Sequence, residues 1–463
     1  MATTYPSYPT RSAHLLDGLW DFCWLGDVDP NKVNPLECEY THRIAIPGCF
    51  DTLPDFVGQR GVVALHTRLH CPPGFEGLLR FKGMGIYASI WVDGALIGQN
   101  QLPYSGVDFI VPPSNEQMRN LVVVVDNRFD AKRSPLIEQY FDFYCYGGIY
   151  RSVEWHVLPD PAINRVKIHT VDPDAGKVQC KLELMHPCKA QYNIQVRCDR
   201  GEWTFLQTME AGEKTLEFAY DVPNPRKWTT EDPQLHLLEV AIDEDRVAER
   251  FGLRTVEVQG SEILLNGDPV KLKGVCRHEA HPHFGPALPD HVLIQDLQLI
   301  KQLGCNFIRG SHYPQDPRFL DLCDEAGILF FEESLGWGQR LEHFKNSEFC
   351  DLQEKQTQLM VANSYNHPSV IMWGFLNEAD SSLKESDDLF ARLVGLVRSE
   401  DPSRPITYAS NHPWNDRHFS QFDIISLNLY PGWYSEDSDK TRPLEDIASL
   451  FDRVKEQLDK TSQ

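Results

Sequence analysis

The rhythm of hydrophobic and polar positions changes along the chain. Up to about residue 160, short apolar runs recur between glycines and prolines, as in Leu79-Arg80-Phe81, Ala88-Ser89-Ile90-Trp91-Val92 and Leu121-Val122-Val123-Val124-Val125. Such runs, rich in β-branched and aromatic residues and bounded by turn formers, predict strands. Asp93-Gly94, between Trp91-Val92 and Ala95-Leu96-Ile97, predicts a two-residue hairpin. No amphipathic helix interrupts the pattern, so residues 1–159 are expected to form a jelly roll or related sandwich. Residues 160–257 keep a β pattern in about a hundred residues, through Asn164–His169, Tyr192–Val196 and Thr215–Ala219. That length and alternation predict an immunoglobulin-like sandwich, with no chemistry-bearing cluster and the role of a spacer.

From about 258 the pattern becomes strand, helix, strand, the signature of βαβ units and a parallel sheet. A strand is expected to open over Val270–Val275, followed by a helix with Leu293, Leu297, Ile300 and Leu303 on one face. Further strands are expected at Asn306–Arg309, Ile328–Phe331, Val370–Leu376, Ile406–Tyr408 and Phe422–Leu427. Helices are expected near 317–326, 350–365 and 384–399, and a last one carries Ile447, Leu450, Phe451, Val454 and Leu458 on one face. That makes six strands of a (β/α)8 barrel, a fold that closes with eight, so residues 258–463 are expected to form a TIM barrel lacking its last two strands.

The stretch Val370-Ile371-Met372-Trp373-Gly374-Phe375-Leu376-Asn377-Glu378 is the most informative. An unbroken apolar run is how a strand buried on both faces reads, and this one ends abruptly in a polar pair. In a parallel barrel that C-terminal edge is where catalytic side chains sit, because the βα-loops form the open pocket there. The same residues also fit a buried strand followed by a helix-capping Asn. The other strand ends are polar or aromatic too: Arg277-His278-Glu279, Arg309 with Ser311-His312-Tyr313-Pro314, Glu332-Glu333, then Asn428 and Tyr430 with Trp433-Tyr434. Each has an ordinary structural reading, such as a core histidine, a helix cap or packing. Together on one rim, carboxylates, imidazoles, an Arg and aromatics describe an acid/base pocket for a polyol. Among these strand-end residues no His-x-His or His-x-x-x-His pair marks a metal cage, and no Gly-rich loop marks a phosphate cradle.

Composition narrows the partners. With 44 basic and 67 acidic residues the formal charge is −23, which leaves no basic stripe for nucleic acid or an anionic membrane. Twelve scattered cysteines form no Cys-x-x-Cys pair and are expected as reduced core thiols. No apolar run reaches membrane length, and Met1–Ser12 has no signal-peptide core, so a cytoplasmic protein is expected. Ten Trp and 16 Tyr suit sugar faces as well as cores.

The chain resembles glycoside hydrolase family 2, the β-glucuronidase and β-galactosidase family, over nearly its whole length. In the first domain the resemblance rests on Leu16-Asp17-Gly18-Leu19-Trp20-Asp21-Phe22, Ile46-Pro47-Gly48, Trp91-Val92-Asp93-Gly94 and Tyr146-Gly147-Gly148-Ile149-Tyr150-Arg151. Asp232-Pro233-Gln234-Leu235-His236-Leu237 carries it in the second. The barrel adds Arg277-His278-Glu279, Ser311-His312-Tyr313-Pro314, Trp373–Glu378, Asp401-Pro402-Ser403-Arg404-Pro405 and Asn428-Leu429-Tyr430.

The resemblance implies a retaining exo-β-glycosidase of carbohydrate metabolism, of β-glucuronidase or β-galactosidase type, with no metal or other cofactor. It implies Glu378 as acid/base and Asn377 at the sugar 2-hydroxyl. His278 and His312 would bind ring hydroxyls, Asn428 and Tyr430 would lie beside the reacting centre, and Trp433 and Tyr434 would wall the pocket. Arg309 and Glu333 would support it, and Asp142 would reach across from the aromatic loop 141–151 of the first domain. The family nucleophile is a Glu ending the seventh strand, which is expected to be missing from this chain. The alternative is therefore a dead or truncated member that binds sugar or a protein partner without hydrolysis. Family members are often oligomers, so a homo-oligomer is possible.

Overall fold

The computed structural model describes residues 4–129, 143–430, 449 and 452–456. Its architecture is multidomain, β followed by α/β. In the first unit a six-stranded antiparallel sheet faces a four-stranded one. The larger is built on Gly18–Gly26, Val62–His70, Met118–Asp126 and Tyr87–Val92, and the smaller on Val153–Val157 and Gly77–Phe81. Alternating inward residues (Trp20, Phe22, Leu65, Ile90, Val123, Trp155) fill the space between them. The expected hairpin is present: Asp93 and Gly94 join Tyr87–Val92 to Ala95–Asn100, both with positive φ, as a right-twisted two-residue turn requires.

The second unit packs the strands Ile163–Asp172, Lys177–Leu184 and Thr215–Asp221 against a four-stranded sheet that includes Tyr192–Cys198 and His236–Ile242. A small antiparallel sheet follows, Val256–Gln259, Glu262–Leu265 and Asp268–Val270. Here the expectation of a barrel strand over Val270–Val275 is corrected: Val270 pairs with Ile263, and the first barrel strand is Gly274–Arg277.

Six parallel strands then run side by side in chain order: Gly274–Arg277, Phe307–Gly310, Leu329–Ser334, Val370–Asn377, Ile406–Ser410 and Ile424–Leu427. Their outer faces are covered by the helices Asp290–Gln302, Pro317–Ala326, Ser347–Ser364 and Asp387–Glu400. The second of these helices shows the sequence logic of its ends. Asp316 caps Pro317–Ala326 by accepting from the Arg318 amide, Pro317 sits at the first turn, and Gly327 closes the helix at φ 70°. Leu293, Leu297 and Ile300 are buried as their spacing predicts, but Leu303 is 74% exposed, because the helix stops at Gln302 and its apolar face ends one turn earlier. Of the expected C-terminal helix, residues 449 and 452–456 are helical, and the rest lies outside the described residues. All twelve cysteines are unpaired and nine are buried.

Candidate active site at the strand ends

Every residue of Val370–Asn377 is buried, as its apolar run requires. Near its end the strand bulges: Gly374 pairs with Thr407 and Asn377 with Ala409, so three steps on one strand oppose two on the other. Leu376 and Glu378 both take positive φ, 59° and 50°. That is a sparsely populated region for side chains of this size, and each such residue costs about 1 kcal/mol or more. The bulge re-aims the last side chains out of the strand's alternation. It is pinned by Glu378 N donating to Ala409 O (3.0 Å), Gly338 N donating to Asn377 O (2.7 Å) and Tyr408 Oη donating to Ala379 O (2.8 Å).

The side chains delivered to this edge form one network. The Glu378 carboxylate accepts from Asn428 Nδ2 at 2.6 Å and from Tyr430 Oη at 3.0 Å. Asn377 Oδ1 accepts from Arg309 Nη2 (2.7 Å) and Asn428 Nδ2 (2.9 Å). Arg309 also donates through Nε to Glu333 (2.8 Å) and through Nη1 to Asn428 Oδ1 (3.2 Å). The other Glu333 oxygen lies 3.1 Å from His312 Nδ1. His278 completes the row, its ring edge-on to His312 at 5.2 Å between centroids. Four different strand ends and the loop after the sixth strand thus converge on a single constellation.

Two polar atoms in this cluster are buried and have no partner among the described residues, Asn377 Nδ2 and His278 Nδ1. A buried donor left unpaired costs about 1–3 kcal/mol, so native proteins keep few of them without a use. Both suit the hydroxyl oxygens of a bound polyol. Burial and the neighbouring His312 push the His278 imidazole down to about 4, which keeps it neutral near pH 7, when one ring nitrogen donates and the other accepts.

The adjacent acids Glu332 and Glu333 divide by the period-2 rule of a strand. Glu333 faces the pocket. Its burial would raise its pKa, but the Arg309 guanidinium and His312 outweigh burial and hold it below the usual carboxylate range. Glu332 faces outward to the helix Ser347–Ser364, where Ser364 Oγ lies 3.4 Å away, and burial pushes it up to about 8. Glu332 is therefore no part of the pocket. Glu279, next to His278, also turns away: it accepts from Arg151 Nη2 (2.7 Å) and from the Asp316 amide (2.5 Å).

The structure brings together Arg309, His312, Glu333, Asn377, Glu378, Asn428 and Tyr430, with His278 beside His312. Asp142, Trp433 and Tyr434 lie outside the described residues. One neighbour was missed from sequence: Phe143, which stacks on the His278 ring at 5.6 Å and lies 6.3 Å from His312. The aromatic density of 141–151 was its signal. Among the described residues, two triads have metal-ligating atoms within reach of one another, Cys198/Asp199/His236 and Asp321/Asp324/His367. Neither shares a residue with the strand-end network. Each is internally bonded, His236 to Asp199 at 2.7 Å and His367 to Asp324 at 2.6 Å.

A parallel barrel carrying an Asn-Glu pair, two histidines and an Arg–Glu pair on its strand ends, behind two β-sandwiches, has the build of a glycosidase. Comparison with known proteins gives the family. Residues 256–461 match the model for glycosyl hydrolases family 2, TIM barrel domain, and residues 162–254 match that for glycosyl hydrolases family 2. The chain is similar to the beta-glucuronidase of Canis lupus familiaris, 27% identical over 92% of this chain and 73% of that protein. It is also similar to the beta-galactosidase of Thermoanaerobacterium thermosulfurigenes, 28% identical over 75% of this chain and 50% of that protein. The crystal structure of the GH2 beta-galacturonidase from Eisenbergiella tayi bound to galacturonate superposes with a TM-score of 0.87. It is 30% identical and covers 98% of this chain and 80% of that one. The chain belongs to glycosyl hydrolase family 2.

Proposed function

We propose that the chain is a retaining exo-β-glycosidase whose acid/base is Glu378, with terminal β-linked uronic acids as its leading substrates and β-galactosides as the second class. The observation that carries the reading is the Glu378 carboxyl, held by Asn428 and Tyr430 on a bulged strand end beside the unpaired amide donor of Asn377. Asn377 Nδ2 takes the sugar 2-hydroxyl, a contact that tightens as oxocarbenium character develops. His278 and His312 take ring hydroxyls, and Arg309 with Glu333 fixes the positions of Asn377, Asn428 and His312. Glu378 donates a proton to the glycosidic oxygen as the bond breaks and later takes one from the attacking water.

Retention needs a second carboxylate about 5 Å from the acid/base. By the resemblance, that is a Glu at the end of a seventh strand. The uronic acid preference is supported by the beta-glucuronidases and the beta-galacturonidase among the similar proteins. The cytoplasm is the proposed compartment, in keeping with twelve free thiols. No helix among the described residues is long and apolar enough to cross a membrane.

The test is a panel of nitrophenyl β-glycosides (glucuronide, galacturonide, galactoside) on the 463-residue chain and on one continued past residue 463, each beside its Glu378→Gln variant. Nitrophenol release from one uronide, depressed in the variant, is the expected result. Equal rates of parent and variant on every glycoside overturn the assignment. Calorimetry with free glucuronate and galactose separates sugar binding without hydrolysis from both.

A further inference from the structure

A second cavity lies away from the strand-end network. It measures about 350 Å³, within the range of small-molecule sites, and sits where all three domains meet, a common place for such sites. Ser105 and Arg151 line it from the first sandwich, Arg250 from the second, and Asp321 and Lys355 from the barrel helices. None of Arg309, His312, Glu333, Asn377, Glu378 or Asn428 lines it.

Its charge runs against that of the chain. Seven Lys or Arg and three Asp or Glu line it, in a protein with 44 basic and 67 acidic residues. Most of these cations have carboxylate partners, as Arg151 has Glu279 and Arg250 has Asp321. Lys355 has no ion pair among the described residues.

The hydrogen-bond inventory gives the second, independent observation. Ser105 Oγ, Arg151 Nε and Arg250 Nε are buried donors without partners among the described residues, and Asp321 Oδ2 is a buried acceptor without one. Ser105 and Arg151 are almost wholly buried. The nearest acid to Arg151 Nε is Asp316, at 3.9 Å, too far for a hydrogen bond. Three unmet donors, two of them guanidinium N–H groups, with a single unmet acceptor and the exposed Lys355 on the same lining, call for a ligand rich in acceptors.

We propose that this junction cavity is a second ligand site, distinct from the strand-end pocket, and that it takes a small polar molecule bearing a carboxylate or phosphate. The anion accepts from Arg151 Nε, Arg250 Nε, Ser105 Oγ and Lys355, while a hydroxyl on its body donates to Asp321 Oδ2. Such a ligand touches all three domains at once. It also reaches the strand ends through Arg151, whose Nη2 donates to Pro314 O (2.7 Å) and to Glu279 (2.7 Å), the neighbours of His312 and His278.

The experiment is calorimetry on the full chain with inorganic phosphate, citrate and glycerol as probes, on the parent and on Lys355→Glu, Lys355→Arg, Ser105→Ala and Glu378→Gln. The expected result is saturable binding of phosphate or citrate but not of glycerol, and the two anions tell a phosphate site from a carboxylate site. Binding should weaken tenfold or more in Lys355→Glu and severalfold in Ser105→Ala, and persist in Lys355→Arg and Glu378→Gln. Absence of heat with both anions at ten-millimolar concentration means the cavity holds water alone, and the proposal falls. It falls equally if Glu378→Gln abolishes binding, or if both Lys355→Glu and Ser105→Ala bind as the parent does.

Discussion

Replacing Arg309 with Met tests whether the strand-end network is one unit. The guanidinium is 11% exposed and its partner Glu333 is wholly buried. Losing it strips Glu333 of its ion pair and leaves only His312 facing the carboxylate. A charge-assisted hydrogen bond contributes about 1.5–3 kcal/mol and an ordinary one about 1 kcal/mol. The bond to Glu333 and those to Asn377 and Asn428 therefore sum to about 4 kcal/mol, inside the range of about 3–5 kcal/mol for breaking one side of a buried pair. Urea unfolding at pH 7 should show that loss. Adding Glu333→Gln to Arg309→Met removes the orphaned charge and should return about 2 kcal/mol. Sugar affinity and turnover should not return with it, because Asn377 and Asn428 still lack the group that orients them, a misplacement that costs on the order of 100-fold. Loss of less than about 1 kcal/mol in the single variant, or recovery of binding in the double, refutes the reasoning.

Other changes probe separate features. Glu378→Gln should abolish turnover of glycosides with poor leaving groups while partly sparing activated aryl glycosides, read as the ratio of kcat/KM between the two classes. Glu332, held protonated by burial up to about 8 against an ordinary value of 4.5, binds a proton in the folded chain that the unfolded chain has released. Its contribution is therefore full below pH 4.5 and is lost as pH rises through about 8, at about 1.4 kcal/mol per pH unit. Glu332→Gln should flatten the fall of Tm between pH 6 and 8, and parallel Tm profiles for parent and variant would contradict the assignment. Gly374→Ala places a Cβ 2.3 Å from the Phe331 ring and should destabilise the chain by about 1–3 kcal/mol in chemical denaturation, with Gly395→Ala, which meets nothing within 4 Å, as its control.

The alternation from sandwich to parallel barrel was legible because each period follows from local burial. Leu79, Ile90 and Val123 point inward at every second position, while Leu293, Leu297 and Ile300 form a helical stripe. Boundaries that depend on partners were less legible. Val270 belongs to an antiparallel sheet because Ile263 is opposite it, and no local feature of 270–275 reports that. At the site, the residue types Asn377, Glu378, Arg309 and His312 were readable from their strand ends. The bulge that turns Glu378 was not, since nothing in Phe375-Leu376 distinguishes a positive φ from an ordinary strand. The opposite fates of Glu332 and Glu333 follow from alternation alone and were within reach of the sequence.

The first sandwich is more than an appendage to the barrel. His278 follows the first barrel strand, and besides the barrel's own His312, at 5.2 Å, it is constrained from the first domain. Phe143 stacks on its ring from the first domain. Glu279, the next residue, is clamped by Arg151 of that domain at 2.7 Å. Arg151 is almost wholly buried and also donates to Tyr104 O and Pro314 O, so its position is fixed by both domains at once. Tyr313 stacks on Tyr104 at 3.9 Å and holds the Glu279 amide through its hydroxyl. His278 is thus set by contacts that exist only when the sandwich is docked, whereas His312 is also held within the barrel by Glu333 and Arg309. A barrel without that domain would keep Glu378, Asn377, Arg309 and His312 in their network and lose the contacts that place His278 at the side of the pocket.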